Sequence, residues 1–465
     1  MDKDFRIGII SGRLGDVDGV SLEVDKWLRT LAGQGHTLFT IAGRYGNTLD
    51  SLPAANQLLL RKISFDSPEQ LHYEKTLFPH LSKNPPHLNG NTKNSILDDL
   101  TAQGDQVAGS LYEYIQDNSI DVIIAENTNA MPMTLLGSLG VYDLAVKKRV
   151  ATIFHHHDFW WERSRFSQNH IESLLTRIMP PAEVGNEHVV ISSYAAHILR
   201  SIKRVHPYVI PNCEDFEKLT VLDDYNREFR RDLGFKEDDI LIVQSTRIVR
   251  RKRIEDSLEL VGRLLQKHPS LRKRLHYIVS LFQGDEHDED YVEEIKSLAR
   301  GKEISMHLIS ERVSSNRGLD SEGRRIYTNR DVLANADLVT YLPVWEGFGN
   351  ALLEAVAARK AVVITTYLVY KTDIKVTGLK NIEIRDQYDT DGKLQIPDEA
   401  VEEMYYLLTH AEEREEIIEK NFNIAKREFG LDTLSLKLEN LLSDYSDEIR
   451  ASRKRIEKSK RSYSV

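Results

Sequence analysis

The segment Glu346-Gly-Phe-Gly-Asn-Ala-Leu-Leu-Glu354 sets two carboxylates around a glycine-rich turn, just after the apolar run 338–341, which reads as a strand. Gly347 and Gly349 allow the main chain to approach a ligand closely, and Leu352, Leu353 and Val356 then recur at helical spacing. The free N–H groups where that helix begins, from Gly347 through Phe348 and Gly349 to Asn350, would face phosphate or sugar oxygens. Glu346 stands before the turn and Glu354 about two helical turns inside, so both can accept hydrogen bonds from hydroxyls of one bound molecule. The bland alternative is a strand–turn–helix with two solvated glutamates.

A second cluster, Ser245-Thr-Arg247-Ile-Val-Arg-Arg-Lys252, follows the run 240–244 directly. Cations at a strand end suit an anionic group, whose charge they can stabilise without a metal. Arg250, Arg251 and Arg253 fit a basic surface loop better. Near the N-terminus, Gly12-Arg-Leu-Gly15-Asp-Val-Asp-Gly19 leads into a helix starting near Ser21, so Gly19 can offer its backbone to an anion at the helix start. Asp16-Val-Asp18 spells the DxD pattern of metal-dependent transferases, but that pattern is short, frequent by chance, and here precedes the first helix.

Phe154-His-His-His-Asp158 ends another strand and continues into Phe-Trp-Trp-Glu-Arg163. Along an extended chain His155 and His157 face one way and His156 the other, so a metal site would need a further ligand from elsewhere, and none is expected. Trp160 and Trp161 either line a substrate pocket or cap the core. Glu126-Asn127-Thr-Asn129 follows the run 121–125 and either contacts substrate hydroxyls or caps its own loop.

These residues need a scaffold that brings strand ends together. Short β-rich runs alternate with helical patterns along most of the chain, the mark of βαβ units and parallel sheets. Runs at 6–10, 36–42, 121–125, 150–154 and 189–191 belong to a first domain, 1–211. Those at 240–244, 276–280, 304–309, 338–341 and 361–365 belong to a second, 212–435. Residues 436–465 are expected as a C-terminal helix and a basic, frayed tail. The fold class is α/β, with two Rossmann-like domains, and ligands of such sheets sit at the carboxyl ends of the strands.

Together these motifs resemble the signature of retaining glycosyltransferases of the GT-B fold, most closely the large family 4, the glycosyl transferases group 1. The likeness runs from Arg6 to about residue 435 and is specific jointly rather than motif by motif. It implies two Rossmann-like domains facing each other across a cleft, with Pro211-Asn212 and Asp215 at the hinge. By resemblance Glu346 holds donor-sugar hydroxyls, Glu354 holds the ribose, and Gly347 to Asn350 hold the sugar and diphosphate. Arg247 and Lys252 stabilise the leaving group, and Gly19 contacts the diphosphate or acceptor, although the usual Gly-Gly pair is Asp18-Gly19 here. The family's His-Asp pair matches His157-Asp158, with the histidine near the donor's C6 hydroxyl. Asp158, Glu126, Asn127 and Trp160 fall on the acceptor side. The loop Tyr367-Leu-Val-Tyr-Lys-Thr-Asp373 departs from the glycine-rich loop many members carry there.

The implied reaction moves a hexose from GDP-mannose or UDP-glucose to a small soluble acceptor, such as a glucosyl-phosphoglycerate, with no cofactor and no metal. Two other readings are a retaining disaccharide phosphorylase of the same fold and a nucleotide-sugar-binding regulatory protein; the intact Arg247, Lys252, Glu346 and Glu354 set argues against the latter. Composition is that of an ordinary globular protein: 465 residues suffice for two cores, and a net charge of -10 disfavours nucleic acid as a partner. A single cysteine, Cys213, precludes an intramolecular disulfide. The short apolar stretch after Met1 and the want of an 18-residue apolar run lead to an expected cytoplasmic protein that does not span a membrane, with peripheral membrane contact left open.

Overall fold

The first strand, β1 (Arg6–Ser11), is buried along nearly its whole length, and so are β2 (Thr37–Ala42), β4 (Val122–Glu126) and β5 (Ala151–His156). Strands covered on both faces read as continuous apolar runs, which is why these elements stand out in the sequence. With β3 (Gln57–Leu59), β6 (Glu187–Val190) and β7 (Tyr208–Val209) they form one parallel sheet of order β3-β2-β1-β4-β5-β6-β7. A second parallel sheet contains β8 (Ile240–Gln244), β9 (Leu275–Val279) and β10 (Ser305–Leu308). After the hairpin β11 (Gly318–Leu319) and β12 (Arg325–Ile326), it is completed by β13 (Leu338–Tyr341), β14 (Val362–Thr365) and β15 (Ile382–Ile384). Its order is β10-β9-β8-β13-β14-β15.

This computed structural model describes residues 4–16, 18–46, 52–81, 88–218, 220–281 and 288–462. The chain divides into two compact units, Met1–Pro211 with Leu434–Val465, and Asn212–Thr433. Each has its own core: Ile10, Phe39, Ile123 and Phe154 belong to the first, Ile242, Leu258, Tyr277 and Leu338 to the second. Among the described residues no helix is long and apolar enough to cross a membrane.

The expected frayed tail is the main correction to the domain outline. The helix Ser446–Ser462 packs on the first unit through buried Ile449 and Ile456. Just before it, the Tyr445 hydroxyl donates to Gly185 O at 2.7 Å and accepts from Thr152 N at 3.1 Å. Ser452 Oγ accepts from Ala151 N at 3.0 Å, and Arg453 donates to both oxygens of the buried Asp121 at 2.7 Å. Of the basic side chains here Lys454 and Lys458 are exposed, while Arg455 donates to Arg149 O at 3.0 Å and Lys460 to Ser119 Oγ at 3.1 Å.

Candidate active site

In the second sheet the strand order reverses between β8 and β13, which pair directly. Loops leaving the carboxyl ends of these two strands therefore start side by side, the place where open parallel sheets bind ligands. The loop after β8 carries Arg247, Arg251 and Lys252; the loop after β13 carries Glu346. Val344 N donates to Arg251 O at 3.2 Å and stitches the two together. Glu346 Oε1 accepts from Arg251 Nη1 at 3.1 Å and from Lys252 Nζ, whose ammonium also lies 5.2 Å from the centre of the Tyr341 ring. Burial opposes the charge of Glu346, yet Lys252 and Arg251 hold its carboxyl below the usual carboxylate range. Burial also pushes the Lys252 ammonium down from its ordinary value. These shifts pull opposite ways on one ion pair; two cationic donors on a single carboxylate oxygen favour the charged form. Arg247 is half-buried, and its side chain makes no hydrogen bond or ion pair with any described residue.

The helix Asn350–Ala357 starts where the sequence places it. Gly349, its N-cap, has φ 139°, and a Cβ there would sit 2.3 Å from the Tyr367 hydroxyl. That hydroxyl donates to Phe348 O at 2.6 Å, so the unusual loop after β14 supplies a buried tyrosine that braces the turn from behind. Phe348 is itself buried against Phe429, and Asn350 Oδ1 accepts from Asn212 Nδ2 at 2.7 Å. Gly347 lies half-exposed next to Glu346. Glu354 Oε2 accepts at 2.9 Å from Asn329 Nδ2, which also reaches Ser245 Oγ at 3.0 Å, while Asn329 Oδ1 accepts from Ser280 Oγ. Sequence reasoning missed Asn329. The signal was Thr328 with Asp331, a capping box that fixes Asn329 as the first helical residue beside the β8 and β9 ends.

Arg251 was also missed, having been grouped with a basic surface loop. Arg250 does belong there, 52% exposed and paired with Asp288 and Glu294. Arg253 bonds Asp256 at 2.7 Å. Arg251 alone of the three turns toward Glu346.

In the first unit, β4 and β5 pair so that Glu126 stands opposite His155. Glu126 Oε2 meets His155 Nδ1 at 2.9 Å and Oε1 meets His157 Nε2 at 2.5 Å. Glu126 is 2% exposed, and its carboxylate is occupied by two imidazoles rather than presented to solvent. Burial works against its charge, but His155 and His157 hold its pKa at about 2. Burial lowers and Glu126 more than restores the imidazolium of His157, whose pKa is raised. His155 stacks on Trp27 with ring centres 4.3 Å apart. His156 faces the other way, as alternation requires, its Nε2 at 3.0 Å from His188 Nδ1; burial keeps both rings neutral, with His188 at about 3. Glu126 thus supplies the additional ligand type a metal site would need beside His155 and His157, all three donor atoms lying within 4.8 Å of one another. Their hydrogen-bond separations are shorter than the ~3.3 Å edge of a tetrahedral site built on ~2.0–2.1 Å bonds.

Asn127 Oδ1 accepts from His157 N at 3.1 Å, fixing the loop that carries the histidine. Asp158 is held by Arg163, whose Nε lies at 3.0 Å. Trp160 proves to be a core side chain, not a pocket wall: it is buried and its Nε1 donates to Met179 O at 3.1 Å. Gly19 opens the helix Gly19–Gly33, but Asp18 caps it, accepting from Val20 N and Ser21 N at 3.1 Å each. Asp16 is bridged to Arg13 at 3.3 Å and to Arg44, so both acids of the DxD pattern are engaged.

Residues 226–376 match the family described as glycosyl transferases group 1. The chain is 32% identical over 454 residues to a mannosylglucosylglycerate synthase of Thermotoga maritima, covering 94% of this chain and 99% of the relative. It is 29% identical over 403 residues to a second protein of that name from Petrotoga mobilis, covering 82% and 86%. A crystal structure of a glycosyltransferase from Rickettsia africae superposes with a TM-score of 0.61 at 14% identity, over 96% of this chain and 99% of that one. The chain belongs to the glycosyl transferases group 1 family and is a hexosyltransferase of the GT-B fold.

Proposed function

We propose that this enzyme transfers a hexose from a nucleotide-diphosphate sugar to glucosylglycerate, mannose from GDP-mannose before glucose from UDP-glucose, retaining the anomeric configuration and needing no metal. The observation that carries the proposal is the near full-length likeness to two synthases whose named product is mannosylglucosylglycerate. That name contains no phosphate, so the free glucosylglycerate is favoured over the phosphorylated acceptor that the motifs suggested.

In this reading the bond from sugar C1 to the diphosphate oxygen breaks on the face where the acceptor oxygen attacks. The proton of the acceptor hydroxyl passes to the departing phosphate oxygen, so no protein nucleophile is required. Arg247 and Lys252 neutralise the charge that gathers on the leaving group. Glu346 accepts from donor-sugar hydroxyls, and Glu354, oriented by Asn329, accepts from the ribose. The N–H groups from Gly347 to Asn350 meet the sugar and diphosphate oxygens, with Gly349 held in place by Tyr367. His157, its imidazolium favoured by Glu126, donates to the C6 hydroxyl region of the donor. Gly19 meets the diphosphate or the acceptor, Asn127 and Asp158 serve the acceptor side, and Glu126 acts through His157.

Incubation of the purified protein with GDP-mannose or UDP-glucose and with glucosylglycerate or its phosphorylated form, in EDTA, tests this directly. A new α-linked mannoside seen by NMR only with glucosylglycerate is the expected result. Activity that vanishes in EDTA and returns with manganese or magnesium would overturn metal independence. Sugar release driven by inorganic phosphate without nucleotide would establish the phosphorylase instead.

A further inference from the structure

We infer that Arg251 is a positioning residue for Glu346, and that donor binding exchanges partners at this carboxylate: the diphosphate draws Lys252 away while Arg251 stays. The inference rests on the reading of Glu346 as the donor-sugar contact and of Lys252 as a diphosphate contact.

Glu346 Oε1 carries both cations, and its side chain is 12% exposed. Lys252 cannot serve the carboxylate and a diphosphate to the full at once, because one ammonium is a single compact charge. Removing it would leave a buried carboxylate without compensation, a costly state unless another cation remains.

The backbone shows which cation that is. Lys252 O accepts from Gln244 Nε2 at 3.0 Å, which ties Lys252 to the end of β8. Arg251 O accepts from Val344 N, two residues before Glu346, which ties Arg251 to the loop bearing the carboxylate. Adjacent residues are thus anchored differently, Lys252 to the end of β8 and Arg251 to the loop after β13. The guanidinium stays charged at any working pH and can hold one carboxylate oxygen while the other meets sugar hydroxyls. Arg251 should therefore matter where the sugar is recognised and reacts, and little where only the nucleoside diphosphate binds.

The test compares Arg251→Gln, Arg251→Lys, Glu346→Gln and the double variant Arg251→Gln with Glu346→Gln. Binding of GDP and UDP is read by calorimetry, and turnover with the matching nucleotide sugar by steady-state kinetics. Expected for Arg251→Gln are nucleoside-diphosphate affinity within about threefold of wild type and kcat lower by about 10- to 100-fold. Arg251→Lys should restore part of the loss, and the double variant should be no slower than Glu346→Gln alone, since both act through one carboxylate. Wild-type kcat in Arg251→Gln with an inactive Glu346→Gln would overturn the inference and leave the sugar-contact reading standing. Loss of GDP or UDP affinity in Arg251→Gln would make Arg251 a diphosphate ligand, and multiplied losses in the double variant would make it independent of Glu346; either overturns the inference. Full turnover in Glu346→Gln would remove the sugar-contact reading, and the inference with it.

Discussion

Glu346 in the second unit and Glu126 in the first solve the same electrostatic problem with different partners. Each sits at or just beyond the carboxyl end of a parallel strand, each is largely buried, and each carboxylate is gripped by two nitrogen bases. Glu346 is held by Lys252, which on the proposed reading an anionic ligand draws away, and by Arg251, which stays. Glu126 is held by His155 and His157, whose charge depends on a proton. On the proposed reading the first arrangement responds to a ligand, while in the second the raised pKa of His157 ties the grip to pH. A buried carboxylate therefore does not announce its role; the chemistry of its partners does.

On the proposed reading, the largest effect should come from the two cations assigned to the diphosphate. Lys252→Ala and Arg247→Ala are each expected to lower kcat by about two to three orders of magnitude, because they remove stabilisation of charge that develops only in the transition state. Arg247 contributes no ion pair to the described structure, so its variant should also leave the melting temperature nearly unchanged. Lys252→Ala should leave Glu346 on Arg251. Near wild-type turnover in a folded variant of either residue would break the comparison at its ligand-responsive end.

Glu126→Gln probes the other end. The carboxyl of Glu126 is depressed from an ordinary 4.5 to about 2, so its stabilising effect is fully present above 4.5 and is lost as pH falls toward 2. His157 is raised above an ordinary 6.5, so its share is present below 6.5 and is lost as pH rises through the raised value. Both shares are complete between these limits. There the variant should lose about 1–3 kcal/mol of stability, the cost of weakening a buried charged hydrogen bond, and less on either side. Removing the negative charge leaves burial as the main influence on His157, so its pKa should drop below 6.5, measurable by NMR titration of the imidazole. An unchanged His157 pKa would show that Glu126 does not set its charge.

The contrast also marks how far the sequence could be read. The parallel strands were legible because burial on both faces leaves continuous apolar runs, and Glu346 to Glu354 was legible because glycine, carboxylate and helix signals fall within one segment. Partner choice was not, because it depends on register and on side-chain direction. The opposition of Glu126 to His155 is a property of the β4–β5 pairing, far apart in sequence. Arg250, Arg251 and Arg253 look alike as residues, and only the turn Arg250–Lys252 decides that the middle one faces inward. Trp160 gave no cue that its indole N–H is spent on Met179 O. The C-terminal helix misled for a related reason: Ile449 and Ile456 are its few apolar contacts, and much of its docking is polar, through Ser452 and Arg453.

A third carboxylate sharpens the comparison by lacking the cation grip. Glu162 lies in the short turn after β5, and its Oε2 accepts from Phe159 N at 2.8 Å rather than from a cation. Burial raises its pKa from 4.5 to about 7, the nearby charge of Asp158 adds to the rise, and the Phe159 N–H and Arg163 only partly oppose it. Here the folded value lies above the unfolded one, so the folded state binds the extra proton and stability falls as pH rises from about 4.5 to 7, remaining low above that. Glutamine keeps an acceptor for Phe159 N and never ionises. Glu162→Gln should therefore match wild type near pH 4.5 and be more stable by about 1–3 kcal/mol at pH 8, taking about 1.4 kcal/mol per pKa unit as an upper scale. Denaturation curves at the two pH values measure it. A stability gap that does not widen with pH would mean that Glu162 is ionised at little cost in the folded protein, and that burial alone does not separate this carboxylate from Glu126 and Glu346.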